Sequence, residues 1–349
     1  MAFMIYGANG YTGELIAREA VARGMKPILA GRSRAKIERL AGELNLECRV
    51  FDLGNPASIA EQLHGVTVVL LTAGPFSATS KPMVRACIEA RAHYLDITGE
   101  IDVFEAVHRA HPDAQRAGVV LCPGVGFDVI PTDCVAAALK EALPDATQLS
   151  LGFDTTVSLS PGTMKTTLES TPQGGRVRRE GQIVRVPLAH DVRRIDFGRG
   201  ERLAVAVPWG DVSTAFHTTG VPNVTVYVPA SRLSVLGMKL GNVFGPLLAM
   251  SLVQRALMKL VPLLVKGPDE AARARMPAYV WGEAINARGE RRTARVKTAN
   301  GYTLTIPGAL AVATFLLNND APAGFTTPSG LMGYGLLVDL PGGGRITVE

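Results

Sequence analysis

A glycine-rich turn at the start of the chain constrains the fold more than any other feature. It follows a short apolar run, residues 3–6, and precedes a helix-forming stretch from Glu14 to Ala20. A strand, such a turn and a helix begin a dinucleotide-binding fold, in which the glycines allow a sharp turn, the approach of a pyrophosphate and close helix packing. The helix N-terminus then binds the phosphates. We predict a cofactor loop made of Gly7, Ala8, Asn9, Gly10, Tyr11, Thr12 and Gly13.

The spacing of these glycines is GxxGxxG rather than the usual GxGxxG, and a tight turn without a ligand would fit the same letters. The following sequence favours the nucleotide, because strand and helix patterns alternate as far as residue 143 and give six strands. Such alternation is typical of a doubly wound parallel sheet with helices on both faces. We therefore expect an α/β fold that begins with a Rossmann domain.

The pattern changes after Pro144. Short segments between residues 183 and 228 alternate apolar and polar side chains and are separated by glycine and proline turns, as antiparallel strands are. An apolar helix at 306–317 would return the chain to the first domain. We predict a Rossmann domain of residues 1–144 plus about 306–349, and an inserted second α/β (α+β) domain, residues 145–305, built on a mostly antiparallel sheet.

The end of the second predicted strand indicates which dinucleotide binds. NAD enzymes hold the ribose 2′-hydroxyl there with an acidic side chain, but this chain has Arg32 and Ser33, and its next acid, Glu38, lies within a helix. A guanidinium and a hydroxyl suit a 2′-phosphate, so we predict NADP(H) rather than NAD; the alternative is that Arg32 is a solvated residue at a helix start. Asp52, after the third strand, would contact the adenine amino group or serve only in a turn.

Loops after the later strands should surround the nicotinamide. Ligands bind outside the carboxyl ends of parallel strands, so the loop after the fourth strand and the loops at 98–100 and 124–128 are expected there. The first of these loops consists of Ala73, Gly74, Pro75 and Phe76.

Hydride transfer also needs a proton donor close to the substrate. The sequence offers four candidates: Asp128, Glu100, Lys165 and His217. The two carboxylates would equally serve as acceptors of backbone N–H groups, and Lys165 would neutralise a substrate oxyanion or carboxylate. His217 lies in a segment that we interpret as a strand, where a histidine is more often structural.

Composition excludes several classes of function. The net charge of +5 is spread along the chain without a run of basic and aromatic residues, so we expect no nucleic-acid partner. No cluster of His, Cys and carboxylates has metal-ligand spacing, and the four cysteines form no CxxC pair. The first residues do not resemble a signal peptide, so we expect a cytoplasmic protein.

An apolar helical segment at 235–266 is unlike the rest of the second domain. Between residues 236 and 265 its only charges are Lys239, Arg255 and Lys259, and its longest uncharged stretch is broken by a glycine–proline pair. It is too short and too broken to span a membrane. We expect internal packing or a homodimer contact, with a lid over a long-chain substrate or peripheral membrane contact through 236–265 as the alternative.

Several motifs, taken in order, resemble those of the saccharopine dehydrogenase-like NAD(P)-binding oxidoreductases, in the branch that includes bacterial trans-acting enoyl reductases. They are residues 7–13, 30–33, 73–76, 94–100, 123–128, 162–163 and 208–211. The resemblance implies a Rossmann domain completed by C-terminal residues, with an inserted domain over the cofactor. It implies either reduction of a carbon–carbon double bond in a lipid precursor or the joining of an amino acid to a keto acid through an imine.

The sequence as a whole predicts an NADP-dependent reductase. Its substrate would be a small-molecule or lipid-like unsaturated carbonyl, enoyl or imine compound. Two alternatives stay open: a cofactor-binding protein, associated with a membrane or a partner, that has little catalysis, and a saccharopine-type amino-acid dehydrogenase.

Overall fold

The computed structural model describes residues 2–155, 174–248 and 276–349. The chain divides into two compact units, one made of Met1–Cys134 with Gly301–Gly343 and the other of Val135–Asn300 with Gly344–Glu349. The strands are, in chain order, β1 (Ala2–Tyr6), β2 (Ile28–Gly31), β3 (Cys48–Val50), β4 (Val66–Leu71), β5 (His93–Asp96), β6 (Val120–Cys122), β7 (Ala146–Thr155), β8 (Gly175–Arg179), β9 (Gln182–Val186), β10 (Val192–Asp196), β11 (Glu201–Val207), β12 (Asn223–Pro229), β13 (Ala278–Asn286), β14 (Arg291–Thr298), β15 (Gly324–Phe325) and β16 (Thr347–Val348).

The helices within the same residues are, in chain order, α1 (Tyr11–Ala22), α2 (Arg34–Leu44), α3 (Pro56–Gln62), α4 (Phe76–Ala90), α5 (Ile101–Arg109), α6 (His111–Ala117), α7 (Ile130–Ala142), α8 (Asp211–Thr219), α9 (Arg232–Leu248), α10 (Gly301–Asn318), α11 (Pro328–Met332) and α12 (Gly335–Asp339).

The first unit is built on a parallel sheet with the strand order β15-β6-β5-β4-β1-β2-β3. Every neighbouring pair of strands is parallel. The first six strands lie in the order β3-β2-β1-β4-β5-β6, which is typical of a Rossmann fold. The central strands β1 and β4 are buried on both faces, as their continuous apolar sequence requires. The predicted doubly wound sheet is confirmed, with β15 as a seventh strand that its two residues did not reveal.

Helix α10 belongs to the core of this first unit. The hydroxyl of Thr305 accepts the backbone N–H of Phe127 at 3.0 Å, and a Cβ atom on Gly308 would lie only 2.7 Å from the side chain of Ile130. Within the described residues, α10 is the one helix long and apolar enough to cross a membrane by length and composition. Its contacts with Phe127 and Ile130 account for that apolar composition as helix packing.

The second unit is built on a mixed sheet with the order β10-β11-β12-β7-β13-β14-β16, to which the β8–β9 hairpin is attached through β12. Neighbouring strands in this sheet are antiparallel, except for β12 and β7, which run parallel to each other. This confirms the mostly antiparallel second domain. The last residues do not close the first sheet as a tail, because β16 pairs with β14.

The segment that contains His217 is helix α8 rather than the strand that the sequence predicted. Helix α4 begins at Phe76, with Pro82 inside it. Helices α5 and α6 are separate, because Pro112 lies in the first turn of α6 and lacks the N–H that would continue α5.

The apolar segment at 235–266 is described in part. Helix α9 begins at Arg232 and is described to Leu248. Residues 249–275 lie outside the described part of the chain, as do 162–163 and Lys165.

Candidate functional site

The glycine-rich loop lies between β1 and α1, at the carboxyl edge of the parallel sheet. Gly7 has a φ of +90°, and a Cβ atom there would lie 2.7 Å from the backbone nitrogen of Ala73. A Cβ on Gly13 would clash with the carbonyl oxygen of Gly7 and lie 2.6 Å from Oγ1 of Thr72. Glycine is therefore required at both positions, so that the loop can turn tightly and α1 can pack against β1 and β4.

The amino terminus of α1 is open to an anion. Gly10 is the N-cap residue and supplies no side chain to the first-turn N–H groups of Tyr11, Thr12 and Gly13. Those groups have no partner within the helix, and the helix dipole adds positive potential there. This is the arrangement that binds a dinucleotide pyrophosphate, and it fits the cofactor role predicted for residues 7–13.

The predicted 2′-phosphate residues lie at the end of β2, beside the glycine loop. A Cβ atom on Gly31 would lie 2.8 Å from Oδ1 of Asn9. The glycine loop therefore lies close to this end of β2. Ser33 is the N-cap of α2 and makes no side-chain cap bond. In the part of the chain that the structure describes, Arg32 is exposed and forms no ion pair, whereas Arg34 pairs with Glu38 at 2.7 Å.

The charges of Arg32 and Asp52 both act on the hydroxyl of Tyr6. The Tyr6 hydroxyl donates to the carbonyl of Phe51 at 3.0 Å, and its pKa is raised to about 12 by burial and by the charge of Asp52, while the charge of Arg32 acts in the opposite direction. Oδ1 of Asp52 accepts the N–H of Gly54 at 2.8 Å, so one carboxylate oxygen holds a turn.

The loop of Ala73, Gly74, Pro75 and Phe76 is held by Glu100. The two carboxylate oxygens of Glu100 accept the N–H groups of Phe76 at 3.1 Å and Ser77 at 3.2 Å, which caps helix α4 from another loop. This cap explains why α4 begins at Phe76, since nothing local to residues 76–80 indicates it. Glu100 therefore has the structural role that the sequence left open beside the catalytic one.

Asp96 is a site residue that the sequence interpretation missed. Its side chain is fully buried at the end of β5, where Oδ2 accepts the hydroxyl of Tyr94 at 2.6 Å. Oδ1 accepts the N–H groups of Thr98 at 3.0 Å and Gly124 at 2.9 Å. Burial raises the pKa of Asp96 to about 6, although all three hydrogen bonds favour its ionised form. An acid in an otherwise apolar strand was the available signal.

Asp128 lies in the loop between β6 and α7, partly buried. Desolvation raises its pKa to about 6. A Cβ atom on Gly99 would lie 3.1 Å from Oδ2 of Asp128, so the absence of a side chain at Gly99 makes room for this carboxylate. The structure thus brings together the loops at 98–100 and 124–128, with Asp96 bonded to both.

The C-terminal helix α10 adds residues to this edge that the sequence did not predict. The ring of Tyr302 packs edge-on against Tyr11 of the glycine loop, with 5.3 Å between ring centres. Thr305 fixes the backbone of Phe127, next to Asp128. No local pattern connects these residues, because almost three hundred positions separate Tyr11 from Tyr302.

His217 belongs to the second unit, in helix α8, while Asp128 and Glu100 belong to the first. Arg178 is buried against helix α8. Its guanidinium donates hydrogen bonds to the carbonyls of Val212, in α8, at 2.8 Å and of Gly181 at 2.7 Å. The guanidinium of Arg178 also lies over the ring of Phe216, 4.2 Å from its centre. Arg178 is therefore a structural cation of the second unit.

Comparisons with known proteins agree with this geometry. Residues 3–122 match the family model described as the saccharopine dehydrogenase NADP binding domain. The human saccharopine dehydrogenase-like oxidoreductase is 32% identical over 150 residues, covering 37% of this chain and 35% of that protein. A trans-acting enoyl reductase of Mycobacterium ulcerans (strain Agy99) is 33% identical over 140 residues, covering 37% of this chain and 33% of that protein. The matches span about a third of the length of these curated relatives.

Two solved structures share the fold over the whole chain. Apo saccharopine dehydrogenase (L-Glu forming) from Saccharomyces cerevisiae superposes with a TM-score of 0.64 at 11% identity, covering 100% of this chain and 99% of that one. Homospermidine synthase from Legionella pneumophila, in complex with NAD, gives a TM-score of 0.62 at 10% identity, covering 100% and 91%. At such identities the similarity shows the fold alone.

Proposed function

We propose that the protein is an NADP-dependent oxidoreductase of the saccharopine dehydrogenase-like family, because residues 3–122 match the family model described as the saccharopine dehydrogenase NADP binding domain. The observation that carries the proposal is the open N-terminus of α1 beside the guanidinium of Arg32, which forms no ion pair within the described residues. The first binds a pyrophosphate and the second binds the 2′-phosphate that distinguishes NADP from NAD.

The residues of the first unit divide the work of binding. The N–H groups of residues 11–13 would hold the pyrophosphate, Arg32 and Ser33 the 2′-phosphate, and Asp52 the adenine end. When bound, NADPH supplies the hydride. The loops at 73–76, 98–100 and 124–128 lie at the carboxyl ends of strands β4 to β6, where the nicotinamide binds in this fold. Glu100 and Asp96 hold these loops next to one another through hydrogen bonds to their backbone N–H groups.

Asp128 is the best candidate for the proton donor among the described residues. Its pKa of about 6 keeps part of the population protonated near neutral pH, which a general acid requires. The carboxylate of Glu100, in contrast, accepts two backbone N–H groups, which favours its ionised form. Asp128 would protonate the atom next to the one that accepts the hydride.

The substrate that we propose is an unsaturated carbonyl, enoyl or imine compound, with a lipid-like enoyl compound first. The similarity to a protein named trans-acting enoyl reductase supports this order. The apolar character of residues 236–265 also favours it, because an apolar surface suits a long-chain substrate.

Cofactor preference is tested by titrating the purified protein with NADPH and NADH and following fluorescence. We expect tighter binding of NADPH, and we expect Arg32→Asp to weaken NADPH by about 10- to 100-fold while sparing NADH, because one charge-assisted hydrogen bond is lost and a repulsion is introduced. The matched control is Arg39→Asp, which makes the same change of charge on an exposed residue of α2, the helix that follows Arg32. Equal binding of the two dinucleotides would contradict the NADP assignment.

Substrate class is tested by following NADPH oxidation with 2-enoyl thioesters of increasing chain length and, separately, with lysine and 2-oxoglutarate. Turnover of enoyl substrates that improves with chain length supports the lipid-like assignment. Turnover only with lysine and 2-oxoglutarate would replace it with the saccharopine type of chemistry. Binding of NADPH without turnover of either would favour a cofactor-binding protein with little catalysis.

A further inference from the structure

Helix α9 has an apolar face that is exposed. Leu233, Leu236, Leu240 and Val243 follow one another at intervals of three or four residues, so they lie on one side of the helix. Their exposed fractions are 77%, 53%, 50% and 72%. Seven large hydrophobic side chains are exposed within the described residues, and four of them form this one stripe. We call these four residues the outer face of α9.

The opposite side of α9 is packed against the second unit. Val235 is buried and packs against Ala189 and Val205. The side chain of Asn242 forms two hydrogen bonds with the backbone of Leu188, accepting its N–H at 2.7 Å and donating to its carbonyl at 3.0 Å. The helix already has its core contact, so the outer face is a second apolar surface that points away from that contact.

An apolar stripe of this kind marks a surface of contact, since scattered single hydrophobic residues are common but contiguous exposed ones are not. The charged residues beside this stripe indicate what kind of surface it binds. Arg232 and Lys239 lie on α9 next to the stripe, and between Asp211 and Asp269 the sequence contains no acidic residue. An apolar face with basic residues at its border and no acids fits an anionic lipid surface.

A second copy of the chain fits less well. A two-fold contact through this face would gather Arg232 and Lys239 of both copies at one interface, where α9 has no carboxylate to pair with them. An acidic protein partner is also less suited. The outer face offers aliphatic side chains without the Trp, Tyr or Arg anchors that dominate protein interfaces.

We propose that the outer face of α9 binds the protein peripherally to anionic membranes, with the four aliphatic side chains among the acyl chains and Arg232 and Lys239 at the headgroups. This inference is independent of the cofactor assignment, because α9 belongs to the second unit and the glycine loop to the first. It would place α9 of the second unit at the bilayer.

The test is flotation of the full-length protein with vesicles of phosphatidylcholine, with and without phosphatidylglycerol. We expect flotation with the anionic vesicles that weakens as salt increases. The double variant Leu236→Gln/Leu240→Gln should lower the partition coefficient by at least about tenfold, because each leucine loses the transfer free energy of its side chain. Arg232→Gln/Lys239→Gln should reduce binding to anionic vesicles and abolish most of its dependence on salt.

A matched control separates this face from general hydrophobicity. Val338→Gln/Val348→Gln removes two exposed apolar side chains elsewhere and should leave flotation unchanged. Circular dichroism checks that each variant is folded. The proposal is overturned if the wild type does not float or if Leu236→Gln/Leu240→Gln floats like it. It is also overturned if sedimentation shows a dimer that this variant converts to a monomer without any binding to vesicles, since the face would then join two copies.

Discussion

The hydroxyl of Tyr94 donates a hydrogen bond of 2.6 Å to Oδ2 of Asp96, and both side chains are fully buried. The other oxygen of Asp96 joins the loop after β5 to the loop after β6 through the N–H groups of Thr98 and Gly124. The two loops that should border the nicotinamide are therefore held by one buried carboxylate. This arrangement leads to the first prediction.

Asn in place of Asp96 should remove a pH dependence of stability. The pKa of Asp96 is raised from 3.8 to about 6 in the folded protein, so the folded state favours the protonated form. Its contribution to the free energy of unfolding is complete below the unfolded pKa and is lost as the pH rises through about 6, by roughly 3 kcal/mol in total. Asp96→Asn keeps an acceptor for both N–H groups and has no charge to bury.

Denaturant unfolding at about pH 4 and about pH 7 measures this effect. The stability of Asp96→Asn relative to wild type should be higher at the higher pH, and the exposed control Asp320→Asn should show no such change. A difference of the opposite sign would mean that the buried carboxylate is ionised at low pH and that its three hydrogen bonds outweigh desolvation.

His93→Asn should change stability in the opposite pH direction. Nδ1 of His93 accepts the N–H of Val120 at the start of β6, at 2.9 Å, and burial lowers its pKa from 6.5. A lowered histidine pKa contributes stability above the unfolded pKa that is lost as the pH falls through the folded one. Asparagine keeps an acceptor in place of Nδ1 but does not titrate. Thermal unfolding across this range should show a smaller loss of stability in acid for His93→Asn than for wild type, whereas the exposed control His64→Asn should lose as much stability as the wild type.

Glu100→Ala should destabilise the start of α4. The variant leaves the N–H groups of Phe76 and Ser77 without their carboxylate acceptor, and loss of such a cap costs about 1–2 kcal/mol. NADPH affinity should fall as well, because the loop of residues 73–76 loses its anchor. Denaturant unfolding and fluorescence titration measure the two effects. Glu89→Ala, an exposed change within the same helix, should alter neither, and an unchanged midpoint for Glu100→Ala would show that water replaces the cap.

Gly13→Ala should prevent close packing of α1 and abolish NADPH binding. The added Cβ would meet the carbonyl of Gly7, which is backbone, and Oγ1 of Thr72, which donates a hydrogen bond to the carbonyl of Tyr6 at 3.0 Å. Gly42→Ala is the matched control, since a Cβ there meets nothing within 4 Å in the interior of α2. That control should stabilise the protein by up to about 1 kcal/mol through helix propensity. Melting temperatures and NADPH titrations of the two variants provide the comparison; equal behaviour would contradict the described loop.

Asp128→Asn should lower kcat while NADPH binding stays within about twofold, if Asp128 donates the proton. Because the protonated form of Asp128 is the active one, the wild-type rate should fall as the pH rises through about 6. The variant should lose this dependence. Steady-state kinetics with the substrate found in the enoyl series measures both, and Asp320→Asn serves as the control. A variant with full kcat and an unchanged pH profile would assign the proton donor to another residue.

The glycine turn and the alternation of strands and helices were sufficient to predict the Rossmann unit and most of its cofactor loop. Local sequence carries this information because a strand buried on both faces, a turn and an amphipathic helix each have their own pattern within about ten residues. The prediction that Arg32 and Ser33 bind the 2′-phosphate likewise came from the end of β2, and the titrations with NADPH and NADH test it. The second domain was predicted as mostly antiparallel from its alternation, though not the parallel pairing of β12 with β7.

Tertiary structure decided everything that depends on distant partners. Glu100 determines where α4 begins, Asp96 joins two loops, and Tyr302 and Thr305 reach the site from the far end of the chain. The same holds for β15, whose two residues form a strand only because β6 offers a free edge to them. The sequence by itself determined the dinucleotide fold, since its signals are local; the packing of the loops determined the surroundings of the candidate proton donor, since hydrogen bonds between distant residues leave no pattern in the sequence.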